Sequence, residues 1–146
     1  MKQPNSLHCF VCGLENPAGL HLKFYENGSG EVTAEITIPE QFQGYPGVVH
    51  GGIVAAMLDE IAGRSMMGGD PPRFMFTARL DIRYRRNVPV AQPLVLTGKA
   101  GSSKGRTATA TGRICDSEGN LLAEAEALLV NVPDEMVDKT YLEALG

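Results

Sequence analysis

The chain has 146 residues, 43% of them hydrophobic and 21% charged, with a formal net charge of −4 at pH 7. That length suits a single domain over 1–146 with a substantial core, and the mild acidic excess gives no overall electrostatic reason to bind nucleic acid or an anionic membrane. No apolar run is long enough to cross a bilayer and the opening MKQPNSLHC lacks the apolar core of a signal peptide, so a cytoplasmic home is expected.

Cys9, Cys12 and Cys115 form an odd set in a chain with no secretory signal, which predicts reduced thiols over a disulfide framework. With His8 and His21 the first two make H-C-x-x-C-x8-H, part of a zinc-like spacing. No second cysteine pair follows to complete four ligands, so no metal is expected there. From Leu20 the pattern is that of strands. Leu20, Leu22 and Phe24 alternate with His21, Lys23 and Tyr25; after the turn Asn27-Gly28-Ser29-Gly30, Val32, Ala34, Ile36 and Ile38 alternate with polar residues. This predicts a hairpin with one wet face, closed by Pro39.

GYPG at 44–47 is built of turn formers, and His50-Gly51-Gly52 then leads into helix-compatible residues, so a helix is predicted to start at Gly51 or Gly52. Helical spacing sorts its residues into three faces. Val54, Met57, Leu58 and Ile61 suit a core; Ile53, Glu60 and Arg64 are expected to be more exposed; Gly52, Ala55, Ala56, Asp59, Ala62, Gly63 and Met66 make a small-residue face bearing one carboxylate. The helix start offers unpaired N–H groups at Gly51 and Gly52 that suit a developing oxyanion. Asp59 lies about 10–12 Å further along the axis, too far to act on a group held at its own helix start. A second, antiparallel copy of the helix would bring the two together, which favours a dimeric site.

Gly68-Gly69-Asp70-Pro71-Pro72 breaks the helix, and a long strand is predicted from Arg73 to about Arg86. Strict alternation assigns Phe74, Phe76, Ala78, Leu80, Ile82 and Tyr84 to its core face and Met75, Thr77, Arg79, Asp81, Arg83 and Arg85 to the other. Leu94 to Ala100, Arg106 to Cys115 and Asn120 to Val132 complete the strands, separated by Gly-Ser-Ser-Lys-Gly and Asp-Ser-Glu-Gly turns. The tail from Asp134 is expected to form a short surface helix. The order strand, strand, helix, four strands is an α+β layout in which one helix can be wrapped by an antiparallel sheet.

HGGIVAAMLD, the turn FQGYPGVV before it and the strand ending in YRRNVP after it resemble the hotdog-fold acyl-CoA thioesterases. The branch is that of the phenylacetate-pathway enzymes and the mammalian thioesterase-superfamily proteins, and the likeness runs from about Cys9 to Val132. It implies a hotdog fold and a homo-oligomeric site, dimer or tetramer, with the Arg73 to Arg86 strand at the dimer edge. In that site the Gly51 N–H polarises the thioester carbonyl, Asp59 acts as base or nucleophile and Thr77 holds water. His50 matches the motif and shapes the helix start, beside Gly52. CFVCG-x-x-NP-x-GL resembles the front of related bacterial hotdog proteins, where it forms a turn into the first strand. Relatives often carry Asn or Gln where this chain has Gly44, so the adjacent Gln43 is the substitute.

Thr77 falls on the polar face by alternation, and its approach to Asp59 requires a bulge or a partner subunit. Arg83, Arg85 and Arg86 at the end of the long strand, with Lys104 and Arg106 in the loop after Gly101, are the basic residues available for the phosphates of an acyl-CoA. The implied reaction needs no cofactor. No G-x-S-x-G occurs, which argues against a serine hydrolase. A noncatalytic acyl-CoA binder and a hotdog hydratase or dehydratase stand as alternatives, distinguished by whether turnover depends on Asp59.

Overall fold

The computed structural model describes residues 1–68 and 72–136. Its elements run β1 (Tyr25–Glu26), β2 (Glu31–Thr37), a single 3₁₀ turn (Glu40–Phe42), α1 (Gly51–Arg64), β3 (Met75–Tyr84), β4 (Pro93–Lys104), β5 (Thr107–Asp116) and β6 (Leu121–Asn131). The strands form one antiparallel sheet in the order β1-β2-β4-β5-β6-β3, with α1 packed along one face. This is the hotdog layout that the resemblance implied. Residues 69–71 of the break after the helix, and the tail beyond residue 136, lie outside the described residues.

The helix begins at Gly51 because the chain before it is held in a tight loop. Val48 N–H donates to the Tyr45 carbonyl, Gly44 N–H to the Val48 carbonyl, and the Gln43 Oε1 accepts from Gly47 N–H at 3.0 Å. Val54, Met57, Leu58 and Ile61 are buried, as their spacing predicted, against Leu94, Leu96, Ile114, Ala123 and the Leu22 and Phe24 side chains of the N-terminal segment. Close approach of helix and sheet depends on two glycines that face each other in register, Gly98 of β4 and Gly112 of β5. A Cβ on Gly98 would stand 2.1 Å from the Ile61 carbonyl oxygen, and one on Gly112 would stand 2.9 Å from the Ile61 side chain.

Four expectations are corrected. The hairpin partner of β2 is short: Leu20, Leu22 and Phe24 are buried in alternation, but only Tyr25 and Glu26 pair as a strand. His21 has φ of +54°, which turns the chain out of an extended path before pairing begins. The Gly101 to Gly105 turn is also shorter than expected, because β4 continues to Lys104 through an irregularity between Ala100 and Ser103.

The helix face of Glu60 and Arg64 is not the exposed one. Arg64 is only 4% exposed; its Nε donates to Glu60 Oε2 at 3.1 Å, its Nη1 to the Pro4 carbonyl at 2.7 Å, and its guanidinium lies 4.4 Å from the Phe24 ring centroid. The N-terminal segment covers this face, and Gln3 Nε2 donates to the Arg64 carbonyl. Finally, β3 departs from strict alternation. Thr77 pairs with Leu129 and Arg79 with Leu128, so Ala78 is an extra residue on the strand. This bulge swaps the faces on its N-terminal side: Phe76 is exposed, while Met75 packs with Ala62, Ala110, Ala127 and Leu129.

Candidate active site

The swap at Ala78 is what brings Thr77 to the helix. Its hydroxyl donates to Asp59 Oδ1 at 2.5 Å, within one chain, so of the two routes left open by the sequence the bulge is the one used. Asp59 sits on the small-residue face between Ala55, Ala56, Ala62 and Gly63, half-buried, with no bulky neighbour on its own helix to fill the space beside the carboxylate. A Cβ placed on Gly63 would meet nothing within 4 Å.

At the other end of α1, His50 is the N-cap. Its Nδ1 accepts from Gly52 N–H at 2.9 Å, which requires the proton of the neutral ring to be on Nε2. The Gly52 amide is thereby occupied, and the expectation that it faces a ligand is corrected. The N–H groups of Ile53 and Val54 bond back to the His50 carbonyl, whereas among the described residues the Gly51 N–H has no acceptor. The Gly51 carbonyl accepts from the Tyr84 hydroxyl at 2.8 Å, tying the helix start to the end of β3. Gly51 therefore holds the free donor of the Gly51-Gly52 pair. His50, placed in the site by its motif position, shapes the helix start as its N-cap.

A cleft of 590 Å³ opens at the same place, lined by Gly44, His50, Gly51, Tyr84, Arg85 and Arg86 among others. Arg85 is held by an ion pair with Glu124 at 3.0 Å, both side chains partly in solvent. Arg83 lines a separate groove with Asp81, Glu124 and Glu126 and is not among the residues of this cleft. Gln43 does not line it either; its side-chain carbonyl is committed to Gly47. Lys104 and Arg106 lie at the far end of the sheet. Thr107 pairs with Val130 whereas Tyr84 pairs with Ala123, seven residues away along β6, or about 23 Å at ~3.3 Å per residue. Within one chain the two basic groups cannot grip one small ligand.

Cys9 and Cys12 take positions that spacing alone could not foresee. Both sulfurs lie against the Glu60 carboxylate, the three ligand atoms within 4.8 Å of one another. His8 and His21 are not in that group, and His21 Nε2 contacts the Asn16 carbonyl instead. The only signal for Glu60 in the sequence is its place next to Asp59, one face round the helix. Nothing in periodicity ties it to the N-terminal cysteines. Alternation likewise puts Tyr84 in the core, whereas its hydroxyl holds the helix start.

One helix laid on a six-stranded antiparallel sheet, with its start open beside β3, defines the hotdog class of proteins. The chain belongs to the thioesterase superfamily, whose family model matches residues 46–123, from the loop before the helix into β6. It is 29% identical over 128 residues to the acyl-coenzyme A thioesterase THEM4 of Bos taurus, a match covering 86% of this chain and 52% of that protein. The chain thus spans about half the length of that relative. The crystal structure of a thioesterase superfamily protein superposes with a TM-score of 0.78 at 36% identity, covering 84% of this chain and 63% of the other. A Streptococcus mutans protein bound to acetyl CoA shares the fold, with a TM-score of 0.68 at 16% identity over 76% of this chain and 88% of that one.

Proposed function

We propose that this chain hydrolyses an acyl-CoA thioester to the free acid and CoA, in a site that two copies of the chain build together. The observation that carries this reading is the pairing of Thr77 with Asp59 on the face of α1 that no side chain of the helix fills, combined with a free Gly51 N–H at the start of the same helix. Thioester hydrolysis needs an N–H to take up charge on the carbonyl oxygen and a base or nucleophile on the other side, while the thiolate departs without a strong acid. Asp59 suits the second role, as base toward a water that Thr77 helps to hold or as nucleophile. The superfamily membership and the thioesterase name of the THEM4 relative support the same chemistry.

Gly51 and Asp59 of one chain are eight residues apart, or about 12 Å along the helix, so both cannot touch one carbonyl. The second copy enters through β3. It is the last strand of the sheet, paired on one side only to β6 among the described residues, and it leaves Phe76 and Tyr84 46% and 54% exposed. An unpaired edge with exposed aromatics suits extension by another strand. Two β3 strands related by a two-fold axis run antiparallel, which sets the Gly51 and Arg86 end of one copy beside the Thr77 and Arg106 end of the other. The two basic groups separated within one chain then flank one composite cleft, where a phosphate-rich substrate would be held.

Release of free thiol from a panel of short, medium, long and aromatic acyl-CoAs tests the reaction, with a sizing measurement alongside. Turnover of at least one thioester by a dimer or larger assembly is expected. Binding of acyl-CoA without turnover would favour a noncatalytic carrier, and product from an enoyl-CoA would favour a hydratase. Arg86 supplies a further check. Arg86→Ala should raise KM for the acyl-CoA roughly 5- to 10-fold, the loss of one solvent-exposed phosphate contact, and leave kcat near its starting value. KM for the same acyl group on a short thiol lacking phosphates should not move.

A further inference from the structure

Behind the catalytic face, the segment before β1 lies across α1, and its fixed points are polar. Asn5 Nδ2 donates to the Cys12 carbonyl at 2.7 Å and to the Leu22 carbonyl at 2.8 Å, and Arg64 reaches the Pro4 carbonyl. Between these ties the run from Cys9 to Gly13 forms a knuckle. Gly13 N–H donates to the Cys9 carbonyl at 2.8 Å, and the amides of Val11 and Cys12 lie against the Cys9 sulfur. The turn is closed so tightly that a Cβ on Gly13 would stand 2.5 Å from the Cys9 nitrogen and from its carbonyl oxygen. The Cys12 sulfur is buried, with Ser6 Oγ 3.4 Å away, and the Cys9 sulfur is half-exposed. Facing both is the carboxylate of Glu60.

We propose that Cys9, Cys12 and Glu60 bind one divalent ion of the zinc class, with a fourth position left to water on the exposed Cys9 side. Zinc takes thiolate at about 2.3 Å and carboxylate oxygen at about 2.0–2.2 Å, so tetrahedral coordination sets neighbouring ligand atoms ~3.6–3.8 Å apart. The three atoms already lie within 4.8 Å of one another, and closure on an ion needs a contraction of about 1 Å. Charge also balances: two thiolates and a carboxylate are offset by the ion together with the Arg64 guanidinium. Arg64 Nε holds Glu60 Oε2 at 3.1 Å, the arrangement in which an outer partner orients a ligand. An ion here would pin the N-terminal segment to α1 one residue from Asp59, and this holds whatever reaction the other face performs.

The test uses the whole chain, reduced and stripped with a chelator, then titrated with Zn²⁺ or Co²⁺. Expected are uptake of one equivalent, a thiolate-to-cobalt charge-transfer band, a higher Tm with the ion, and protection of Cys9 from iodoacetamide at pH 7. Cys9→Ser should remove the band, Glu60→Gln should weaken binding by at least ~10-fold, and Cys115→Ser should change neither. If Cys9→Ser does not fold, Glu60→Gln and the alkylation of the unmodified chain decide. No uptake under reducing conditions overturns the proposal, as does binding indifferent to Glu60. So does formation of a Cys9–Cys12 disulfide that added Zn²⁺ fails to prevent, which would make the pair a redox couple.

Discussion

Asp59→Asn is expected to lower kcat on the best acyl-CoA of the panel by about 10²–10⁴, the usual contribution of a positioned base, with KM changed little. Asn keeps the size of the side chain and an oxygen that can accept the Thr77 hydroxyl now donated to Asp59 Oδ1, so the packing of α1 against β3 is preserved. What it loses is the negative charge and the capacity to take a proton or attack a carbonyl. The circular dichroism spectrum and assembly state should therefore match the parent. A variant that turns over within about threefold of the parent would remove Asp59 from the chemistry and end the hydrolytic reading as framed, since that threefold is far below what loss of a base costs. Loss of binding in place of loss of turnover would make the carboxylate a ligand contact.

Gly98→Ala carries the largest expected cost to stability. The added methyl would stand 2.1 Å from the Ile61 carbonyl oxygen, and that obstacle is backbone of the one helix, not the movable end of a side chain. Overpacking typically costs about 1–3 kcal/mol. Here relief requires lifting α1 off both Gly98 and Gly112, so the upper part of that range is expected. For a chain of this size about 3 kcal/mol lowers Tm by roughly 6–12 °C. Gly63→Ala is the control, because its Cβ would meet nothing within 4 Å and alanine favours a helix interior. It should hold or raise Tm. Equal melting of the two variants would mean that the helix is not seated on the glycine pair.

The parts of this architecture that are readable from sequence are those set by local chemistry. The turn formers before His50, the glycines after it and the 3.6-residue recurrence of Val54, Met57, Leu58 and Ile61 mark the helix and its buried face within a residue of where they lie. Alternation likewise finds every long strand. It fails at Ala78, because one extra residue in a strand exchanges the faces without altering composition, and only the pairing of β3 with β6 reveals it. Strict alternation consequently puts Thr77 and Phe76 on each other's side. Arg64 escapes for a different reason. A helix position is exposed only if nothing covers it, and the covering segment, residues from Gln3 to Phe24, has almost no regular structure of its own to announce it. The same blindness separates Glu60 from Cys9 and Cys12, which are distant in the chain and adjacent in space.

The seat of α1 on Gly98 and Gly112 has a bearing on selectivity. Where α1 lies on Gly98 and Gly112, helix and sheet approach too closely to admit an aliphatic tail between them. On the hydrolytic reading, the ruler for acyl length is consequently quaternary: it lies along the seam between copies. Variants that alter how the subunits abut, at Phe76 or along the β3 margin, should then retune chain-length preference more than any exchange inside the core.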